Sequence, residues 1–320
     1  MNDFVKIQKQ VTAENPDFSA CREYGFQSNG EKFSVRKYYL RNKHRDIKIN
    51  INEASGLLTV EGNMGFYQNG HNIDLSFTDL RNAINKISDQ IKVDLFPAIV
   101  EEFDHSAIVQ TNLPAKLIIQ NHLSLSGHDT KHEGNGKYFV KKGQQVVKMY
   151  DGHKRMKQVY TKAMRENIYA SLNIDSKSNL IRFEKKILRP EAYFKSSLTV
   201  DDILRPDFIH QCNIDLMKTY DNITKIKTLE IPKNKKQLTA ATLTLIVAKE
   251  LELILNIDFN DMLNKRISSI DNSILSKDDK KARKRQIKAN LNKISGKVVN
   301  EYDISDQLAE SLKMIPGSHR

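Results

Sequence analysis

The sequence predicts an α+β fold, rich in strands in its first part and mostly helical after about residue 195. Three observations carry this. Short segments dense in β-branched and aromatic residues fill the first part. One stretch there, Phe77–Lys92, changes to helical spacing. Beyond Ser197 the longer segments Leu204–Tyr220, Leu238–Leu255 and Asp258–Ile270 all keep that spacing.

In chain order, Phe33–Leu40 and Asp46–Asn52 read as a strand pair, and Leu57–Val60 as a further strand. In Phe77–Lys92 the apolar residues Leu80, Ala83, Ile84, Ile87 and Ile91 recur at three and four residues; Ser76 or Thr78 is placed to cap this helix, with Asp79 in its first turn. After Pro97, Ala98–Thr111 reads as a strand with Glu102, Asp104 and Ser106 on one face. Ser124–Lys137 is rich in Gly, His, Ser and Asn and reads as a loop that includes His128 and His132, with His122 just before it. Lys137–Lys141 and Gln145–Tyr150 follow as strands around a Lys142-Gly143 turn. Arg155–Leu172 reads as a helix, and Asn179–Leu188 as a strand ending before Pro190. The expected domain boundary is near residue 195, giving regions 1–195 and 196–320.

The 320 residues carry 51 Lys+Arg against 39 Asp+Glu, a net charge of +12. Hydrophobic residues at 39% supply enough apolar content for a core and exclude a wholly disordered chain. The longest apolar run, around Leu243–Val247, is too short for a membrane span, and Met1–Lys6 lacks the apolar block of a secretory signal. Two cysteines, Cys21 and Cys212, exclude a disulfide framework and a four-cysteine zinc site, so a reduced intracellular protein is expected. The positive charge favours a polyanionic partner, although charge alone does not separate nucleic acid from an anionic membrane surface. Lys277–Lys297 holds nine Lys/Arg against two Asp and reads as a phosphate-binding helix.

The chain has no G-x-x-x-x-G-K-[ST] loop, no G-x-S-x-G and no H-E-x-x-H. Gly134-Asn135-Gly136-Lys137 reads as a turn. Three segments carry the candidate chemistry. Glu101-Glu102-Phe103-Asp104-His105 sets carboxylates two apart on a strand, where a divalent cation relieves their repulsion. Val146–Asp151 places Tyr150 at a strand end, followed by His153, Lys154, Arg155 and Lys157. Asn179–Glu184 puts Arg182 and Glu184 on another strand, with Arg182 expected to pair with Glu102 or Asp104 or to contact a phosphate.

In order, these segments and the block Val60–Asn72, with its Gly70-His71-Asn72, resemble the filamentous-phage gene II replication protein family. The opening Asp3-Phe4-Val5-Lys6-Ile7 and the Leu180–Glu184 strand fit the same pattern, which spans roughly residues 1–190. The resemblance implies a rolling-circle replication initiator, with an antiparallel-sheet domain of the HUH-endonuclease kind and a split β-α-β arrangement. It implies a catalytic domain over 1–195 and a helical, basic DNA-binding region over 196–320. Tyr150 would attack the scissile phosphate, with Tyr160 as the rival nucleophile. Lys154, Arg155 or Arg182 would stabilise the developing charge. Mg²⁺ or Mn²⁺ would be held by Asp104 and Glu184, with Glu102 and His71 as further ligands. The wider superfamily's His-hydrophobic-His motif is absent, and Gly152 stands where relatives carry a Lys after the tyrosine. The implied partners are single-stranded or supercoiled origin DNA, a host polymerase and a host helicase in the bacterial cytoplasm, with no membrane and no small-molecule substrate. Two other readings remain open: a DNA-binding regulator with an inactive nuclease-like domain, and an RNA-binding module that stacks bases on Tyr38, Tyr39 and Phe66.

Overall fold

A computed structural model of the protein describes residues 4–11, 16–28, 34–73, 75–229, 239–255, 259–293, 298–299 and 301–313. The first strands are β1 (Phe4–Gln10), β2 (Cys21–Ser28), β3 (Ser34–Leu40), β4 (Ile47–Asn52) and β5 (Leu57–Asn63). Then come α1 (Met64–Asn69), α2 (Phe77–Ile91), β6 (Ile99–Thr111), α3 (Ala115–Asn121) and β7 (His122–Leu125). The next run is β8 (Asp129–Glu133), β9 (Gly136–Lys141), β10 (Gln145–Asp151), α4 (Gly152–Val159), α5 (Lys162–Ser171) and β11 (Asn179–Ile187). After it stand α6 (Pro190–Phe194), α7 (Val200–Ile203), α8 (Pro206–Asp221), β12 (Ile223–Lys225) and β13 (Thr228–Leu229). The chain closes with α9 (Ala240–Leu255), α10 (Phe259–Ser269), α11 (Lys277–Lys293), β14 (Val298–Val299) and α12 (Ser305–Lys313).

The architecture is α+β, built on a ten-stranded antiparallel sheet in the order β2-β3-β4-β5-β1-β6-β11-β10-β9-β8. β1 lies antiparallel between β5 and β6, so these two strands run parallel to each other and are joined through α1 and α2. The chain divides into two compact units. The first takes the described residues up to 120, then 124–223, and those from 304 onward; the second takes 121–123 and 224–303. The expected boundary near 195 therefore falls inside the first unit. The reason is packing: Phe103 on β6 meets Phe194 and Phe208 with ring centroids 6.1 and 6.0 Å apart, so α6 and α8 complete the core of the sheet.

The sheet packs helices on both faces, α2 on one and, near Leu180, α4 and α5 on the other. Val5, Ile7, Ile49, Leu58 and Val60 point to the face covered by Leu80, Ala83, Ile84, Ile87 and Ile91 of α2, the five positions the helical spacing predicts. Ser76 and Asp79 close a reciprocal capping box at its start. Farther along, Lys185 of β11 is buried on this face. Its Nζ donates to Tyr193 Oη (2.6 Å), Asp215 Oδ2 (2.7 Å) and Thr219 Oγ1 (2.9 Å), tying α6 and α8 to the strand.

Several expectations change. β1 and β2 are strands not named among those expectations, although Val5-Lys6-Ile7-Gln8 in β1 alternates as a half-buried strand does. The stretch expected as a loop, Ser124–Lys137, contains all of β8 and the start of β9, with His132 on β8. Every residue of β8 is exposed, so this edge strand lacks the alternation that reveals a strand. His122 is fully buried on β7, and His128 sits in a turn against Ser126 O and Gln145. The helix expected over Arg155–Leu172 is two helices: α4 ends at Tyr160, and Thr161 caps α5 by accepting from the Met164 N–H.

In the second unit, Leu229 N–H donates to Glu250 of α9 (2.9 Å), and Lys225 pairs with Asp303 (3.1 Å). The basic run forms α11, on which Lys277, Lys281, Arg283, Arg285 and Lys288 are exposed; residues 294–297 of the run lie outside the described residues. Among the described residues, no helix is long and apolar enough to cross a membrane.

One buried group sets a pH dependence. His105, 2% exposed on β6, donates from Nε2 to Asn213 Oδ1 of α8 (2.8 Å). Burial, only partly offset by Asn213, pulls the ring down to about 3, so it is neutral in the fold and titrates near 6.5 when unfolded. Its contribution is complete above 6.5 and is lost as pH falls toward 3. Denaturant titrations across that window are expected to show stability falling by up to about 1.4 kcal/mol per pH unit, with the slope reduced in His105→Gln.

Candidate active site

On the other face of the sheet, period-2 alternation brings polar residues of three neighbouring strands together. β10 pairs with β11 so that Lys148 lies opposite Glu184, and Tyr150 opposite Arg182. β6 flanks β11 with Lys186 opposite Asp104. The result is a cleft of about 580 Å³ whose walls include Tyr150, Glu184, Arg182, Lys148, Asp104 and Arg155.

Glu184 is its centre. It is 4% exposed. Its Oε1 accepts from Lys148 Nζ; its Oε2 lies 3.1 Å from the Tyr150 hydroxyl, which donates to it, and 3.3 Å from Arg182 Nε. Burial alone raises a carboxyl pKa, but Arg182 and Lys148 together outweigh it and hold Glu184 down at about 2. Lys148 also lies 4.0 Å from Asp104 Oδ2, so one ammonium is shared between two carboxylates. Arg182 is buried and donates from Nη1 to the Asn72 carbonyl (2.7 Å), tying the segment after α1 to the sheet.

Tyr150 stands at a strand-to-helix junction, where the following residue, Asp151, caps α4 by accepting from the Lys154 N–H. Two glycines clear the space around it. A Cβ on Gly136 would come within 2.9 Å of the Tyr150 Cβ, and one on Gly152 within 2.9 Å of the Leu180 Cβ. Gly152 thus lets α4 approach β11 closely.

The structure therefore gathers Tyr150, Asp104, Glu184 and Arg182, and leaves other expected residues apart. Lys154 is exposed and lies 3.8 Å from Asp151 Oδ2, while its neighbour Arg155 lines the cleft. Arg182 pairs with Glu184 rather than with Glu102 or Asp104, and Glu102 forms an ion pair with Lys186. His71 follows Gly70, the left-handed C-cap of α1, and its Nδ1 accepts from Ile73 N–H (3.4 Å). It does not line the cleft; Asn72, the next residue, does. Tyr160 does line the cleft, but it is 6% exposed and its hydroxyl is engaged with Asn72, 3.2 Å from both Asn72 N and Oδ1. Sequence reasoning assigned no role to Lys148, although its place two residues before Tyr150 on one strand puts both on the same face.

For a divalent metal the donor set fits in type, although the Lys148 ammonium lies between the two carboxylates and would have to be displaced for one cation to bridge them. Asp104 and Glu184 offer hard carboxylate oxygens on one face, and Mg²⁺ commonly takes one or two carboxylates and completes its shell with water and substrate phosphate. Of the other expected ligands, Glu102 pairs with Lys186 and His71 lies outside the cleft lining; among the described residues no three His, Cys, Asp or Glu side chains form a group able to hold a metal.

Glu184→Gln would leave two cations in a buried setting without their shared carboxylate. Chemical denaturation is expected to show a loss of about 3–5 kcal/mol, against about 1 kcal/mol for Tyr150→Phe, which removes one hydrogen bond. Because the native carboxyl pKa is low, the Glu184 contribution holds above its ordinary value near 4.5 and is lost as pH falls toward 2. Among known proteins, no family model and no curated sequence matches the chain.

Proposed function

We propose that the protein is a rolling-circle replication initiator, a nuclease of the HUH-endonuclease kind that nicks and rejoins one strand of phage or plasmid origin DNA. The observation that carries this is a tyrosine hydroxyl hydrogen-bonded to a buried carboxylate between two cations, in an open cleft of a strongly basic chain. The resemblance of residues 1–190 to gene II replication proteins supports the same reading. So does the placement of β1 between the parallel pair β5 and β6, as a split β-α-β unit requires.

In this reading Tyr150 Oη attacks the scissile phosphorus. The P–O3′ bond breaks, the 3′ oxygen leaves as a free hydroxyl, and the 5′-phosphate stays on the tyrosine. The reverse transfer rejoins the strand. One phosphoester replaces another at each step, so no nucleotide hydrolysis is needed. Glu184, kept ionised by Arg182 and Lys148, orients the hydroxyl, and over the whole transfer the phenolic proton passes to the departing 3′ oxygen. Lys148, Arg182 and Arg155 face the phosphate and offset the charge that builds on its oxygens. Mg²⁺ or Mn²⁺ bound by Asp104 and Glu184 would supply Lewis-acid polarisation of the phosphate. The 3′-hydroxyl would prime a host polymerase working with a host helicase, and the exposed cations of α11 would add salt-dependent grip on DNA.

The test uses purified protein, Mg²⁺ or Mn²⁺, and single-stranded oligonucleotides tiled across the replicon's origin. A covalent protein–DNA adduct is expected on denaturing gels and by intact mass, and it is expected to vanish in Tyr150→Phe. An adduct that persists in the variant would move the nucleophile to Tyr160. Tight DNA binding without any adduct would favour a regulator that binds and does not cut.

A further inference from the structure

The face that holds the cleft continues across the sheet to its far edge, and its far end is aromatic and basic. Cross-strand pairing carries one face from Tyr39 on β3 to Lys48 on β4, Glu61 on β5, Lys6 on β1 and Glu102 on β6. On the edge strand β2, a register shift between Glu23 and Gly25 places Tyr24 against Tyr39, with ring centroids 4.0 Å apart and planes 20° from parallel. Tyr24 is 42% exposed, so the pair presents an aromatic surface to solvent. An aromatic ring open to solvent on an edge strand leaves a surface on which a further flat group can stack.

The surroundings say what kind of group fits there. Lys37, two residues before Tyr39, and Lys48, opposite it, stand on the same face, with Glu61 bonded to Lys48. Arg41, Lys43 and Arg45 stand exposed in the turn between β3 and β4, and Arg45 reaches the cleft wall, its guanidinium 5.2 Å from the Phe66 ring. A flat π-face flanked by cations fits a nucleobase with its phosphates, and a strand with unpaired bases is needed to offer that face. Burial holds the Tyr24 phenol above its ordinary range, so it stays uncharged beside a phosphate.

We propose that the Tyr24–Tyr39 pair is a base-stacking platform for single-stranded DNA that extends from the cleft across β4, β5 and β1. From β3 to β10 the path crosses six strand spacings in the sheet order, about 29 Å. The platform holds flanking nucleotides, while the cleft holds the scissile phosphate. It rests on the replication-initiator reading for the identity of the strand as DNA, and its own test is binding rather than cleavage.

Fluorescence anisotropy of the full-length chain with labelled single-stranded DNA, duplex DNA and RNA would decide it. The double variant Tyr24→Ala/Tyr39→Ala is expected to lose about tenfold or more in affinity for long single strands, the size set by losing one or two stacked bases. Tyr24→Phe is expected to retain it. Phe26→Ala is the control: Phe26 pairs with Arg36 on the opposite face and is expected to matter little. Unchanged affinity in the double variant would overturn the platform, as would tighter binding of RNA or of duplex than of single-stranded DNA. Should the alanine variant fail to fold, photocrosslinking of iodouridine-substituted DNA to the wild-type chain decides instead: crosslinks at Tyr24 or Tyr39 support it, and crosslinks only elsewhere overturn it. The two readings fail separately. Adduct formation with unchanged affinity in the double variant sinks the platform alone, and reduced affinity without any adduct sinks the nicking activity alone.

Discussion

Glu184 is a carboxylate buried in the middle of a ten-stranded sheet, and it stays ionised because Lys148 and Arg182 flank it. Removing such a group from water costs several kcal/mol unless opposite charge and hydrogen bonds replace the lost hydration. That compensation comes from β10 across the ladder and from Arg182, two residues earlier on the same strand. It therefore depends on register. A one-residue slip of β10 against β11 would turn Lys148 and Tyr150 to the apolar face and leave Glu184 without its neighbours. The ion cluster and the sheet pairing thus specify each other, and the cleft exists only when both are in place.

The strand that carries this cluster works on both faces. Arg182 and Glu184 point to the cleft, while Ile181, Phe183 and Lys185 point to the helices. Phe183 meets Tyr220 of α8 edge-on at 5.5 Å, and Lys185 draws Tyr193, Asp215 and Thr219 into one hydrogen-bonded network. β11 is held from behind by α6 and α8, elements on the far side of residue 187. This rigid backing lets the cleft residues be aimed by packing rather than by loops. The same logic explains the close approach at Gly136 and Gly152, where the space for a side chain is taken by Tyr150 and Leu180.

The polar face has a gradient of order. Near Glu184 the charges are buried and paired. Farther out, Lys48 and Glu61 pair at 3.1 Å with much of Lys48 in solvent, and the edge ends on the exposed Tyr24 ring. Buried pairs fix geometry but resist rearrangement, whereas exposed cations and aromatics adapt to a flexible strand. Under the proposed reading, such a surface would grip one phosphate firmly and the flanking nucleotides loosely.

What the sequence by itself determined is the periodic part. The α2 stripe from Leu80 to Ile91, the Ser76 cap and the β6, β10 and β11 strands follow from local spacing, and these elements present Tyr150, Asp104, Arg182 and Glu184. Local spacing failed where the signal is not local. The edge strand β8 is exposed throughout, so nothing alternates; Thr161 breaks a helix that apolar spacing would have continued. Only the tertiary structure decided which charged residues share a cleft. Lys148 entered because β10 pairs with β11, Glu102 left because Lys186 pairs with it, and Lys154 turned to solvent on the outer side of α4. Residue type and order are written along the chain. Which cation neutralises which carboxylate depends on strand order and register, and these are set by burying the apolar face on the other side of the sheet.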